Sequence, residues 1–303
     1  HPVRLRRRVA VVGAGPAGLS CAVNAARRGH EVVLFEASAE IGGQFNMAKL
    51  IPGKEEFYET VRYFQRQLEL TGVTVKLSTP ATVEALRQDF DVVVLATGVR
   101  PRPLELPGAD HPKVLSYLDV LAGGAQVGER VAIIGAGGIG FDVAEFLGHT
   151  GESTGVSVEA YQATWGVDPS HRTEGGLAAP EEHPAARKIT LCQRSAGKLG
   201  AKLGKTTGWV HRASMKKLGV EELAEVQYDK VDDRGLHVKV AGVPRVIEVD
   251  HVVVCAGQLS RRDLEAPLRS AGLEVHVIGG AELAAELDAK RAIDQGARLA
   301  AAL

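Results

Sequence analysis

Short apolar runs alternate with longer amphipathic ones along this chain, and near the middle the alternation starts over. Residues 8–12 (R-V-A-V-V) are a β-branched run that breaks at Gly13-Ala14-Gly15-Pro16-Ala17-Gly18 and passes into a helix-like stretch to about Arg28. Residues 130–134 (R-V-A-I-I) do the same, through Gly135-Ala136-Gly137-Gly138-Ile139-Gly140 into a helix-like stretch to about Leu147. Each block reads as strand, tight turn and helix. Further strands are predicted over 31–35, 73–77, 91–95, 189–192, 236–240, 247–249, 252–255 and 274–278, and helices over 55–70 and near 290–302. Residues 150–187 are rich in Gly, Pro and His with weak periodicity, which predicts a long loop or excursion.

Strands alternating with helices argue an α/β fold with parallel sheets, here built twice. The Pro- and Gly-rich stretch from Val99 to Gly108 is a natural crossing between domains. The expected organisation is two Rossmann-like dinucleotide-binding domains, one inserted in the other: residues 1–108, an inserted domain over 109–254, and a return over 255–303.

Composition narrows the function classes. Of 303 residues, 45% are hydrophobic and 24% charged, a globular rather than a disordered profile. A formal net charge of -1 gives no electrostatic case for nucleic acid or an anionic membrane. The basic start, Arg4 to Arg8, reads as a solvated lead-in to a strand. No apolar stretch approaches the roughly 18–20 residues of a membrane span. The run after Arg8 breaks at Gly13 and Gly15, so it is strand and turn rather than a signal segment. The chain opens with His1, which fits a processed chain or the second half of something longer. Cys21, Cys192 and Cys255 form no C-x-x-C pair and cannot hold a four-cysteine cluster, and the expected setting is a reducing cytoplasm.

The glycine turns carry the candidate chemistry. Gly13 permits the tight turn, Gly15 lets backbone approach a pyrophosphate, and Gly18 lets helix and strand pack closely, while the helix N-terminus presents free N–H groups. Glu36, at the end of the second strand, suits adenosine ribose hydroxyls, so FAD or NAD fits this turn and a 2′-phosphate does not. At the second turn the matching strand ends in Gln193-Arg194-Ser195, with Lys198 and Lys202 nearby. Arg194 can pair a 2′-phosphate through a charge-assisted contact of about 1.5–3 kcal/mol, a roughly tenfold to hundredfold preference for NADP. Gly204-Lys205-Thr206 imitates the end of a P-loop, but Gly200 stands one residue too close for that motif. His171 and His183 have no metal-ligand spacing around them.

Together with Gly42-Gly43-Gln44, Ala96-Thr97-Gly98 and Ala256-Gly257-Gln258, the paired turns resemble the two-dinucleotide flavoproteins typified by disulfide reductases. Gly42 to Phe57, His111 to Leu121 and Gly204 to His211 look like the C-terminal half of bacterial 2,4-dienoyl-CoA reductases, and the resemblance runs over essentially the whole chain. It implies that this half binds FAD and NADPH. A separate N-terminal barrel, absent from this sequence, would carry FMN, a 4Fe-4S cluster and the acyl-CoA site, making that barrel the partner.

Carried over residue by residue, the resemblance puts the FAD pyrophosphate at Gly13, Gly15, Ala17 and Gly18, and the ribose at Glu36. Gln44 and Lys54 fall near the ribityl and diphosphate region, Ala81 by the adenine, and Gly98 against the cofactor. Gly279, Gly280 and the helix begun near Ala289 would close the flavin site. Where related flavoproteins place an aspartate beside that glycine pair, this chain has Ala281-Glu282, with Glu282 in reach of the ribityl group. For NADPH the resemblance points to Gly137, Gly138, Ile139, Gly140 and Arg194, with Gly257 beside the nicotinamide.

Hydride transfer between two cofactors needs alignment more than side-chain acids, so no general base is expected. Without a C-x-x-C pair, electrons must leave by a route other than a dithiol. Three readings follow: the NADPH:FAD half of a dienoyl-CoA reductase, a stand-alone NAD(P)H oxidoreductase with a diffusible acceptor, and a non-catalytic dinucleotide-binding module.

Overall fold

The computed structural model describes residues 5–285 and 288–303; His1 and Arg4 lie outside the described residues. In chain order the strands begin β1 (Arg8–Val12), β2 (Glu31–Phe35), β3 (Thr74–Lys76), β4 (Val92–Leu95), β5 (Val99–Pro101), β6 (Val114–Ser116), β7 (Arg130–Ile134) and β8 (Lys188–Cys192). They continue as β9 (Glu221–Leu223), β10 (Val226–Asp232), β11 (Gly235–Val240), β12 (Val243–Ile247), β13 (His251–Val254), β14 (Gln258–Ser260) and β15 (Glu274–Val277). The helices are α1 (Pro16–Arg28), α2 (Phe45–Ala48), α3 (Phe57–Thr71), α4 (Val83–Arg87) and α5 (Tyr117–Leu121). After them come α6 (Gly138–Gly148), α7 (Val158–Trp165), α8 (Gly208–Lys217), α9 (Glu265–Ser270) and α10 (Ala289–Ala302).

The chain forms two compact units, the second inserted in the first. Unit one comprises His1–Met47, Phe57–Arg100 and Gln258–Leu303; unit two comprises Ala48–Glu56 and Pro101–Gly257.

Unit one is built on a five-stranded sheet of order β15-β4-β1-β2-β3, parallel throughout. Val9, Ala10 and Val11 of β1 and all four residues of β4 are wholly buried, because helices cover both faces of a parallel sheet. The edge strand β3, Thr-Val-Lys, is exposed along its length, as a charged and short edge should be. Pro16 opens α1 with its preset φ, and Gly29 closes it in the left-handed region (φ 106°) after Arg27 and Arg28. α1 and α10 meet backbone to backbone: a Cβ on Gly296 would fall 2.3 Å from the Ala17 carbonyl oxygen.

Unit two repeats the plan with a parallel sheet of order β6-β13-β7-β8-β9. To this it adds an antiparallel sheet, β10-β11-β12. The parallel α/β architecture expected twice is therefore present twice.

Several short elements are not expected from the sequence, and two stretches differ from it instructively. Residues 150–187 contain α7 and a 3-10 turn at Glu174–Gly176. α7 buries no residue, so no apolar stripe marks it in the sequence. Asp168 staples the region instead, accepting from the amides of Ser170, Arg172 and Thr173 and the hydroxyls of Ser170 and Thr173. These donors, led by the Ser170 hydroxyl, hold its carboxyl well below the usual carboxylate range. The strand expected at 247–249 is β12, ending at Ile247; its Pro244 is tolerated because β12 is an edge strand. Among the described residues no helix is long and apolar enough to cross a membrane.

Candidate dinucleotide sites

The first turn is closed by backbone contacts that admit no side chain. Gly13 has φ 104°, donates its amide to the Phe35 carbonyl at 2.8 Å, and would place a Cβ 2.5 Å from the Ala96 carbonyl oxygen. A Cβ on Gly18 would lie 1.9 Å from the Gly13 oxygen. Gly15, the N-cap of α1, is different: a Cβ there meets nothing within 4 Å. The outer glycines tighten the turn and the middle one leaves free room over the helix N-terminus. There unpaired amides and the positive end of the helix dipole favour an anion.

Other residues named by the sequence gather on this turn. The Gly42 amide donates to the Ala14 carbonyl at 2.8 Å, and a Cβ on Gly43 would sit 2.9 Å from the Gly15 Cα, so the Gly42–Gln44 loop lies against it. Gln44 is half-buried in the turn just before α2. Gly279 (φ 65°) abuts Ala17, a Cβ on it falling 2.8 Å from the Ala17 Cβ. Its amide donates to Gln295 Oε1 at 2.7 Å, the Gln295 amide nitrogen donates to Glu282, and the Gly280 carbonyl accepts from the Ser260 hydroxyl. Gly98 (φ 69°) follows the Ala96 carbonyl that presses on Gly13, and accepts from the Arg261 amide at 3.0 Å. Ala81 stands apart, packed on the cluster of Val12, Phe35 and Leu86.

In unit two the second turn reproduces the first nearly atom for atom. Gly135 (φ 109°) donates to the Cys192 carbonyl at 2.9 Å and would set a Cβ 2.7 Å from the Cys255 oxygen. A Cβ on Gly140 would lie 1.8 Å from the Gly135 oxygen, while Gly137 and Gly138 face open space. Ile139, half-buried, sits in the first turn of α6.

The strand-end residues distinguish the turns. Glu36 Oε2 accepts from the Ala14 amide at 2.7 Å, and Oε1 from the Ser38 amide and hydroxyl at 2.8 and 2.7 Å. A carboxylate has about four acceptor positions, so one remains for a ligand hydroxyl. At the corresponding place in unit two Arg194 is exposed and pairs with no carboxylate among the described residues. Its loop is shaped by Gln193, which donates to the carbonyls of Ser195 and Gly197 at 3.1 and 3.0 Å. Gly257 (φ 99°) accepts from the Arg102 amide at 3.1 Å, and the Arg102 guanidinium runs alongside it, Nε 3.5 Å from where a Cβ would stand. Lys54 belongs to unit two, its ammonium 2.6 Å from Asp142 Oδ1 on α6. Arg102, Asp142 and Gln295 escape a reading of the sequence, because only the fold brings each to its partner.

Among the described residues nothing is arranged for dithiol or metal chemistry. All three cysteines are free and buried. Burial pushes the Cys21 and Cys192 thiols up to about 12 and Cys255 higher still, away from the thiolate that redox exchange needs. Among the described residues no three His, Cys, Asp or Glu side chains are set to hold a metal ion.

Two strand–turn–helix anion sites, one per parallel sheet, define a protein that binds two dinucleotides. The chain belongs to the pyridine nucleotide-disulphide oxidoreductase family, whose pattern matches residues 7–290. That family binds FAD and NAD(P)H, and the chain is a flavin-dependent pyridine nucleotide oxidoreductase module. It is 30% identical over 279 residues to a metal reductase of Desulforamulus reducens, covering 90% of this chain and 41% of that protein. To a cinnamate reductase of Clostridium sporogenes it is 30% identical over 276 residues, covering 91% and 36%. A 2-naphthoyl-CoA reductase solved in complex with 2-naphthoyl-CoA superposes with a TM-score of 0.83 at 27% identity, covering 100% of this chain and 41% of that one. The chain thus spans about two fifths of the length of these relatives.

Proposed function

We propose that the chain is the NADPH:FAD half of a 2,4-dienoyl-CoA reductase, working with an FMN and iron–sulfur barrel that carries the acyl-CoA site. In this reading residues 1–108 and 255–303 hold FAD and residues 109–254 hold NADPH. Three larger reductases, two of unsaturated or aromatic acyl compounds by their names, contain a segment like this chain, and that supports the assignment.

The observation that carries the reading is the pairing of two turns closed by matching glycine contacts with opposite strand-end charges, Glu36 on one and Arg194 on the other. Bound FAD would supply the hydride acceptor for reduced nicotinamide and pass electrons onward. The protein's task is then to bind, align and exclude water. Gly13, Gly15, Ala17 and Gly18 would cradle the FAD pyrophosphate on the open face of α1. Glu36, already fixed by Ala14 and Ser38, would take the ribose. Gln44, Ala81, Gly98, Gly279, Gly280 and Glu282 would line the remainder, Gln295 holding Glu282 in place. Gly137, Gly138, Ile139 and Gly140 would receive the NADPH pyrophosphate, Arg194 the 2′-phosphate, and Gly257 the nicotinamide end.

The test is the visible spectrum of the FAD-loaded protein under anaerobic conditions before and after NADPH. Bleaching of the flavin, followed by reoxidation on adding a separately produced barrel domain with a dienoyl-CoA, is the expected result. Bleaching with transfer only to small diffusible acceptors would make the chain a stand-alone oxidoreductase. Failure of either dinucleotide to raise the melting temperature would sink the reading altogether.

A further inference from the structure

The two units finish a central strand in the same way, and one side chain breaks the likeness. In unit one the Gly98 carbonyl, just past β4, accepts from the Arg261 amide at 3.0 Å. In unit two the Gly257 carbonyl, just past β13, accepts from the Arg102 amide at 3.1 Å. Both glycines have left-handed backbone, φ 69° and 99°. A Cβ on Gly98 would meet nothing within 4 Å. On Gly257 it would lie 3.5 Å from Arg102 Nε, 3.6 Å from Cζ and 3.9 Å from Cδ. Only in unit two does the arginine side chain fold back over its glycine.

That position borders the second glycine turn. A Cβ on Gly135 would stand 2.7 Å from the Cys255 oxygen and 3.1 Å from the Ala256 nitrogen, so the turn leans on the residues just before Gly257. Arg102 is exposed, and among the described residues its guanidinium pairs with no carboxylate and donates to no carbonyl. Asp142 on α6, whose charge reaches Cys255, is itself matched by Lys54 at 2.6 Å. A guanidinium keeps its proton at any working pH. Arg102 therefore brings a permanent positive charge that none of these neighbours neutralises.

We propose that Arg102 is a specificity-determining residue that makes this site prefer a reduced nicotinamide dinucleotide to its oxidised form. This rests on the placing of the nicotinamide beside Gly257 in the proposed function. The reduced ring is uncharged, the oxidised ring is a pyridinium cation, and the rest of the molecule is the same in both. A fixed cation lying on the glycine beside that ring leaves the first unopposed and repels the second. Charge alone produces the effect, with no hydrogen bond required. The site then takes up NADPH and lets NADP+ go.

Calorimetric titration of the FAD-loaded protein tests this with NADP+ and tetrahydro-NADP, whose ring is uncharged and cannot give up hydride. The wild type should hold the uncharged ligand about tenfold more tightly, and the preference should shrink as salt is raised. Arg102→Gln keeps the backbone amide and strands no partner; it should tighten NADP+ alone and remove most of the preference. Arg102→Lys, which keeps the charge, should retain it. An unaltered ratio in Arg102→Gln overturns the proposal, as does a wild-type ratio indifferent to salt. Equal weakening of both ligands in Arg102→Gln also overturns it, by making Arg102 a phosphate contact. A wild-type protein that binds neither ligand would remove the dinucleotide site itself and the preference with it, a result distinct from binding with an unaltered ratio.

Discussion

The Ala14 amide donates to Glu36 across the first glycine turn at 2.7 Å, so the acid at the end of β2 clasps the very turn it stands beside. Glu36 therefore shapes the turn, and in the proposed function it also receives a ribose. Glu36→Ala should lower the stability of the ligand-free protein by about 1–3 kcal/mol, the cost of stranding an amide, and weaken FAD binding by roughly tenfold or more. Glu36→Gln, which keeps one acceptor oxygen, should recover most of the stability and less of the affinity. Thermal melts with and without FAD separate the two effects. An Ala variant that melts like the wild type would show the clasp to be idle.

The glycines of each turn should divide by function under a single added methyl. Gly18→Ala and Gly140→Ala would drive a Cβ to 1.9 and 1.8 Å from a carbonyl oxygen, so the helix must pull away from its strand. Such overpacking costs several kcal/mol, about 3 or more where only backbone can yield. Gly15→Ala and Gly137→Ala meet open space at an ordinary extended backbone, φ -79° and -87°. They should leave the ligand-free melting temperature nearly unchanged while sharply reducing affinity for FAD and for the nicotinamide dinucleotide respectively. Calorimetry of the four variants checks both halves, and equal loss of stability in all four would refute the division.

These turns were readable from sequence because their sterics are local: strand, glycine spacing and helix lie within about a dozen residues. Glu36 was readable by spacing, but not its clasp on Ala14, which exists only once β1 and β2 pair. Lys54 is named only by the resemblance, and its partner Asp142, 88 positions away, is supplied by the fold. The excursion at 150–187 read as loop because it is organised around the Asp168 carboxylate, and hydrogen bonds to one side chain leave no hydrophobic period. β10 escapes the sequence for a related reason: in Val-Gln-Tyr-Asp-Lys-Val-Asp only Val226 and Val231 are fully buried, five positions apart across a bulge, so the alternation is broken.

Arg194 should decide which nicotinamide dinucleotide is used. It is exposed and pairs with no carboxylate among the described residues, so removing it strands nothing and costs little stability. Arg194→Ala should raise KM for NADPH about tenfold to a hundredfold, leaving NADH and kcat nearly unchanged, as expected for loss of a contact equal in ground and transition states. Steady-state flavin reduction with both nucleotides measures this. An unchanged NADPH-to-NADH preference would move the 2′-phosphate site elsewhere, with Lys198 and Lys202 the next residues to replace.

The pH dependence of stability should carry two slopes of opposite sign. Glu145 is raised from 4.5 to about 7, so above 4.5 the unfolded chain gives up a proton that the folded one keeps. Its contribution to stability is full below about pH 4.5 and falls away as pH rises to about 7, by on the order of 3 kcal/mol. Asp250 runs the other way. The Arg130 guanidinium and amide hold its carboxyl down to about 2, so its contribution is present above 3.8 and is lost as pH falls through that window. Both groups lie in unit two, as do Trp165 and Trp209, the only tryptophans of the chain, so denaturant unfolding followed by tryptophan fluorescence reports on the right unit. Glu145→Gln should flatten the decline between about pH 4.5 and 7 and leave the acid limb intact, whereas Asp250→Asn should blunt only the acid limb. If Glu145→Gln leaves the upper slope as it was, the proton that the folded unit holds belongs to some other group.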